Sequence, residues 1–208
     1  MKAESLVFAA AGMAFGLIAG WVIGAQQAAG TRAAPAPQAA AAPPAAGTAQ
    51  APAPAPLDEA EVRKYRDLAE RDPDNVTPKV RLGNLYFDAE RYEDAVQWYE
   101  AALKLDSTDP NVSTDLGVAY YYLNQPDRAL EQFAHSLTVD PKHTKTMLNM
   151  GIVRAFGKQD LDGAARAWEQ VLAIAPESPE GQAARRALEA MRTAHPTLPG
   201  GAAAPGTN

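Results

Sequence analysis

The chain is 208 residues long, carries a formal net charge of −6 and contains no cysteine. An acidic chain argues against nucleic acid or an anionic membrane surface as its main partner. The missing cysteines exclude disulfides, thiolate metal sites, a thiol nucleophile and a lipidated N-terminal cysteine.

Residues 1–4 are a short polar start, and an uncharged, largely apolar run extends from Ser5 to Ala25. About 20 residues of helix cross the hydrocarbon core of a bilayer, so this run is long enough to span. A cleaved signal peptide would have a shorter apolar region and a small-x-small cleavage site. The best site here, Ile23-Gly24-Ala25, begins with a bulky residue. The expectation is therefore an uncleaved signal-anchor over 5–25, with a cleaved, soluble periplasmic protein as the alternative. Lys2 and the terminal amine precede the span, and only Arg32 comes closely after it. Positive-inside bias then places residues 1–4 in the cytoplasm and the rest on the periplasmic side of a bacterial inner membrane. Gly12, Gly16, Gly20 and Gly24 recur every fourth residue and would line one helix face, the pattern by which membrane helices approach closely and pair.

Residues 26–56 reduce almost entirely to Ala, Pro, Gln, Gly and Thr. Nothing in that composition can form a packed core, so a disordered, partly extended linker is expected. In polyproline form, at about 3.1 Å per residue, the stretch from Thr31 to Pro56 would reach roughly 80 Å. Asp58 then begins a helix running to about Arg71, with Glu61 placed as its capping-box partner. Residues 57–75 read as a leading helix that covers the open face of the first helical pair after it.

From Val76 one pattern recurs. The first copy, 76–109, has Leu82-Gly83-x2-Tyr86, then Ala95, Tyr99 and Ala102. The second, 110–143, has Leu116-Gly117-x2-Tyr120, Ala129, Phe133 and Ser136, and closes with Asp140-Pro141. The third, 144–178, has Met150-Gly151, Ala164, Trp168, Val171 and Ala175-Pro176. Each copy is long enough for two short helices, which could bury their apolar faces only by stacking on the next pair. The helices are expected at 77–89, 92–105, 110–123, 126–139, 144–157 and 161–174. Thr77 would cap the first with Pro78 at its first position, and Asp109 the third with Pro110. Gly83 with Ala95, Gly117 with Ala129 and Gly151 with Ala164 supply small residues where paired backbones would come closest. Tyr86, Tyr99, Tyr120, Phe133 and Trp168 would fill the volume between hairpins. A capping helix over 179–195 presents Ala183, Ala187, Leu188 and Met191 to the array, and residues 196–208 form a Gly/Ala/Pro tail.

With three copies in phase, the chain resembles the tetratricopeptide repeat family. The resemblance implies an all-α fold: a right-handed superhelical array of three helical hairpins between a leading and a capping helix. Leu82, Gly83, Tyr86, Ala95, Tyr99, Ala102, Leu116, Gly117, Tyr120, Ala129, Phe133, Pro141, Gly151, Ala164, Trp168 and Pro176 would be its packing positions. The third copy departs from the family pattern. It holds one extra residue near 157–160, expected in the inter-helix turn, and Arg154 where the others have tyrosine, so a looser and wetter hairpin is expected.

No catalytic or metal constellation stands out. His135, His143 and His195 are scattered and read as solvated, and no cofactor is implied. The chain reads as non-catalytic.

What the resemblance implies is a protein partner. In the family, first helices line a concave groove that holds a peptide or helix. Projected here, the groove would be lined by Val80, Asn84, Phe87 and Asp88, by Asn111, Thr114, Val118, Tyr121 and Tyr122, and by Lys145, Leu148, Ile152 and Phe156. Some members clamp a peptide's C-terminal carboxylate with basic residues and asparagines. Only Asn84 and Lys145 match that set, while Val80, Asp115 and Asn149 depart from it, so the clamp is not expected. The expected function is a membrane-tethered adaptor or scaffold in envelope protein assembly. Its layout resembles the repeat subunits of cytochrome c maturation complexes, a likeness of fold alone. The rival is a structural scaffold that self-assembles by stacking of arrays and pairing of glycine-lined anchors into a homo-oligomer.

Overall fold

The computed structural model describes residues 55–194. The expected anchor, its glycine face at Gly12, Gly16, Gly20 and Gly24, most of the linker, His195 and the tail lie outside the described residues.

Among the described residues the secondary structure is entirely helical. Helix α1 spans Glu59–Arg71. Three hairpins come next: α2 (Val76–Asp88) with α3 (Tyr92–Leu105), α4 (Pro110–Tyr122) with α5 (Pro126–Val139), and α6 (Thr144–Ile152) with α7 (Leu161–Ile174). Helix α8, Pro179–Ala194, packs on α7 and closes the row, as α1 packs on α2 at the other end.

Local chemistry sets the boundaries. Asp109 accepts from the amides of Asn111 and Val112, with Pro110 at the helix start, where a missing N–H costs nothing. The expected cap at Thr77 moves back to Asn75, whose side chain accepts from the Thr77 amide. Asp58 accepts from the Ala60 and Glu61 amides, but Glu61 turns outward to Lys64 at 2.8 Å, so an ion pair replaces the returning half of the capping box. Each hairpin turn is closed by one residue in the left-handed region, Glu90 (φ 57), Asn124 (φ 58) and Gln159 (φ 56), always just before the residue that precedes the second helix. None is glycine, so the surrounding packing holds a conformation that most side chains disfavour.

The glycines also take a role beyond the close approach of paired helices. A Cβ on Gly83 would stand 2.4 Å from the Tyr99 ring, one on Gly117 2.5 Å from the Phe133 ring, and one on Gly151 2.2 Å from Trp168 Nε1. Each glycine is thus a seat for an aromatic ring of the partner helix, and at Gly117 the Ala129 carbonyl also comes within 3.2 Å of that added Cβ, the close approach of the paired backbones. Tyr99, Phe133 and Trp168 fill the inside of their own hairpins, with Trp168 donating to the Leu148 carbonyl at 3.1 Å. Tyr86 and Tyr120 fill the space between units. The Tyr86 hydroxyl takes a bond from Arg66 of α1, and Tyr120 donates to Glu100 of α3. Burying such a ring is worth about 1.5–3 kcal/mol. Pro141 and Pro176, expected among the packing residues, are exposed in the turns after α5 and α7.

The third hairpin accommodates its extra residue by winding, not by lengthening the loop. Val153–Gly157 form a π-helical turn at the end of α6, and the Lys158 amide reaches the Val153 carbonyl. An inserted residue inside a helix commonly takes this form. Arg154 pairs with Asp160 at 2.7 Å. The hairpin core stays dry nonetheless, since Ala164, Trp168 and Val171 are fully buried.

The second and third hairpins meet through hydroxyls. Thr114, Ser136 and Thr146 are fully buried. Thr114 Oγ1 lies 2.6 Å from Thr146 Oγ1, and Ser136 Oγ 2.8 Å from Thr146 Oγ1. The Pro110 carbonyl accepts from Thr114 at 2.6 Å and from Ser136 at 3.0 Å. His143 completes the cluster, with Nδ1 2.6 Å from Thr146 Oγ1 and Nε2 3.2 Å from Asn111 Oδ1. It is not the solvated histidine that its place in a turn had implied.

Candidate binding groove

The first helices α2, α4 and α6 carry the residues expected to line the groove, Phe156 lying in the π turn that ends α6, and the structure sorts them by exposure. Thr114, Val118 and Leu148 are buried and cannot meet a ligand on this surface. Thr114 is turned into the contact between hairpins, where it is bonded on several sides. Asp88, Asn111, Tyr122 and Phe156 are exposed, Tyr122 at 41% and Phe156 at 38%. Val80, Asn84, Phe87, Tyr121, Lys145 and Ile152 are half-buried.

Aromatic residues gather near the hairpin turns. Phe87 meets Tyr122 edge-on at 5.9 Å between ring centroids, so successive hairpins are joined there. Tyr92, at the start of α3, was missing from the expected set. It stacks on Tyr122 at 4.6 Å with an interplanar angle of 6° and meets Phe87 edge-on at 5.3 Å. Its signal in the sequence was faint, because the second copy has Pro126 at the corresponding place. Tyr121 lies 6.1 Å from Tyr122 and reaches the third hairpin, where a Cβ on Gly157 would stand 3.3 Å from its ring. Burial pushes the hydroxyls of Tyr92, Tyr121 and Tyr122 above the usual tyrosine range, and the neighbouring Glu90 adds to this at Tyr92 and Tyr122.

The polar residues are largely engaged within the array. Asn84 Oδ1 accepts from the Tyr99 hydroxyl at 2.8 Å. Lys145 Nζ lies 2.7 Å from Asp115 Oδ1, and Asn149 donates to the Lys145 carbonyl. Burial pushes the Asp115 carboxyl up, and Lys145 pulls it back. Such a surface offers ring edges and faces, with few unengaged groups to fix a charged ligand by direct bonds.

Stacked helical hairpins with a ring seated on glycine in each pair, closed at both ends by single helices, define a helical-repeat solenoid. Two family models match it, one described as TPR repeat over residues 83–124 and one as tetratricopeptide repeat over 114–179. Residues 83–179 are thus tetratricopeptide repeats. The BBSome complex member BBS4 homolog of Drosophila melanogaster is 27% identical over 121 residues, covering 58% of this chain and 25% of the fly protein. Hsp70-Hsp90 organizing protein 2 of Arabidopsis thaliana is 28% identical over 127 residues, 60% of this chain and 22% of the plant protein. The match thus spans a quarter or less of those relatives' length. Among solved structures, MamA superposes with a TM-score of 0.53 at 20% identity, covering 64% of this chain and 88% of the other, a likeness of fold.

Proposed function

We propose that the chain is a non-catalytic protein-binding module whose concave face receives a peptide or helix segment of a partner protein. The observation that carries this reading is the aromatic cluster of Phe87, Tyr92, Tyr121 and Tyr122, partly exposed across two hairpins. Large amphipathic rings at low conformational cost are favoured anchors for partner segments. The relatives lend support by their names, a complex member and an organizing protein. Only the repeat portion of those proteins is shared, so their particular partners are not carried over.

The mode of recognition rests on the engaged polar groups. Asn84 and Lys145, the two residues matching a carboxylate clamp, are bonded to Tyr99 and Asp115. The reading is therefore side-chain anchoring of an extended or helical segment with apolar residues, set against Tyr121, Tyr122 and Ile152. The finer account keeps the tether: a single-pass anchor over 5–25 in a bacterial inner membrane, a spacer over 26–56, and the array on the periplasmic side as an adaptor in envelope assembly.

The self-assembling scaffold has one observation in its favour. Leu105, Val139 and Ile174 close the second helices of the three hairpins and are exposed at 42%, 37% and 40%, a row at the repeat period that arrays could share. Concentration-dependent oligomers of the full chain would favour that rival.

Partner capture by the full chain and by its Phe87→Ala/Tyr122→Ala variant, compared in the native host, tests the proposal. Loss of a defined partner is expected while the variant keeps its helical circular dichroism and a cooperative melt, at a somewhat lower midpoint because the rings also join the hairpins. Equal capture by both would sink it.

A further inference from the structure

Three tyrosine faces of the array, those of Tyr65, Tyr86 and Tyr120, carry the array's own cations. Lys64 lies 4.7 Å from the Tyr65 ring centroid, Arg91 4.9 Å from that of Tyr86, and Arg128 3.9 Å from that of Tyr120. The shelf made by Phe87, Tyr92 and Tyr122 is different. Among the described residues no lysine or arginine lies over any of these rings. Acids border it in the chain instead, the one neighbouring cation, Arg91, being turned to Asp94 and the Tyr86 ring. Glu90 occupies the turn between Phe87 and Tyr92 with its side chain exposed, and Asp88 and Glu93 on either side are exposed as well. The charge of Glu90 is felt at both Tyr92 and Tyr122, where it adds to burial in raising the hydroxyls.

A ring face carries negative potential and attracts a cation, most strongly where water is partly excluded. Nearby carboxylates deepen that potential. The shelf thus joins partly covered rings and an acidic border, with no lysine or arginine over the rings among the described residues.

We infer that the shelf of Phe87, Tyr92 and Tyr122 receives a lysine or arginine side chain, so that the partner segment is basic, with aliphatic anchors beside its cations. The inference rests on the reading that the concave face binds a partner segment. It adds charge complementarity: the cation lies against the ring faces with its charge toward Glu90, and aliphatic residues run on toward Tyr121 and Ile152. The array's overall acidity would draw any basic peptide weakly, so a local effect has to be separated from a general one.

The test uses the full chain and two fluorescent 15-residue helical peptides with leucine at the same positions. One carries arginine at the remaining sites and the other glutamate, and affinity is read by anisotropy at physiological salt. The arginine peptide is expected to bind, with at least tenfold preference over the glutamate peptide. Tyr122→Ala should weaken it about tenfold, while Tyr122→Phe, which keeps the ring, should not. Glu90→Gln should weaken it about threefold, and Glu131→Gln, which removes the same charge from an exposed site on α5, should leave it unchanged. Equal affinity for the two peptides, failure of the arginine peptide to bind, or insensitivity to Tyr122→Ala and Glu90→Gln would each overturn the inference. So would equal losses from Glu90→Gln and Glu131→Gln. If any of these occurs while partner capture still depends on Phe87 and Tyr122, the groove reading stands and only the cation is wrong.

Discussion

Lys145 Nζ lies 2.7 Å from Asp115 Oδ1, across the contact between the second and third hairpins. The one lysine that a carboxylate-binding groove could use is thereby held by a carboxylate of the array itself. A peptide terminus would have to displace Asp115 and then sit beside its charge, a like-charge contact that costs affinity. An acidic peptide with a free C-terminal carboxylate should bind the full chain no more than twofold tighter than its C-terminal amide. A tenfold preference for the free carboxylate by calorimetry would restore the clamp.

The glycine seats predict an inversion of ordinary helix propensity. Glycine to alanine inside a helix normally gains about 1 kcal/mol. At Gly151 the added methyl would meet the Trp168 indole, which is fully buried and has no room to retreat. Overpacking of this kind costs about 1–3 kcal/mol. Gly151→Ala should therefore lower the thermal midpoint by several degrees, and a higher midpoint would show that the ring moves aside freely.

His143 gives the array an acid-sensitive contact. Burial is the largest influence on it and depresses its imidazole below the ordinary histidine value near 6.5, while Asp140 opposes this and Lys145 adds to it. As pH falls through about 6.5 the unfolded chain takes up the proton first, so stability present above that pH is lost as pH drops through the folded value. Urea midpoints of the wild type should fall more steeply between pH 7.5 and 5 than those of His143→Gln. Parallel slopes would mean that the folded cluster does not depress the imidazole.

Thr114 sits at the centre of the hydroxyl cluster, within reach of Pro110, Ser136 and Thr146. Thr114→Val keeps the shape and leaves neighbouring buried groups short of a partner, at a cost of about 1–3 kcal/mol. The loss should appear as faster amide exchange in α6 and α7 than in α2 and α3. A uniform change along the array would place the coupling elsewhere.

The fold was largely legible because packing repeats. Leu82 and Leu116, Ala95 and Ala129, Tyr99 and Phe133 recur at the period of one hairpin and are all buried. The site was less legible, for reasons visible in particular residues. Helical projection assigned Thr114, Val118 and Leu148 to the groove, since adjacent faces of one helix differ by a small rotation. All three are buried, Thr114 against Thr146 of the neighbouring hairpin. Tyr92 is hard to assign from sequence because it lies at the start of a second helix and joins the cluster only through the turn at Glu90. The π turn at Val153–Gly157 is indistinguishable from added loop length in the sequence, since an inserted residue does not announce whether a loop or a helix absorbs it. His143 looked solvated because a turn position says nothing of the Thr146 hydroxyl that folds against it.

Occupation of the aromatic part of the concave face by a partner protein is best tested by site-specific photo-crosslinking in the native host. A crosslinking amino acid replaces Tyr122, and a second protein carries it at Glu131 on α5 as the control. One defined adduct with another protein is predicted, formed from position 122 and absent from position 131. Adducts only between copies of this chain, or the same adducts from both positions, would contradict a partner-binding groove.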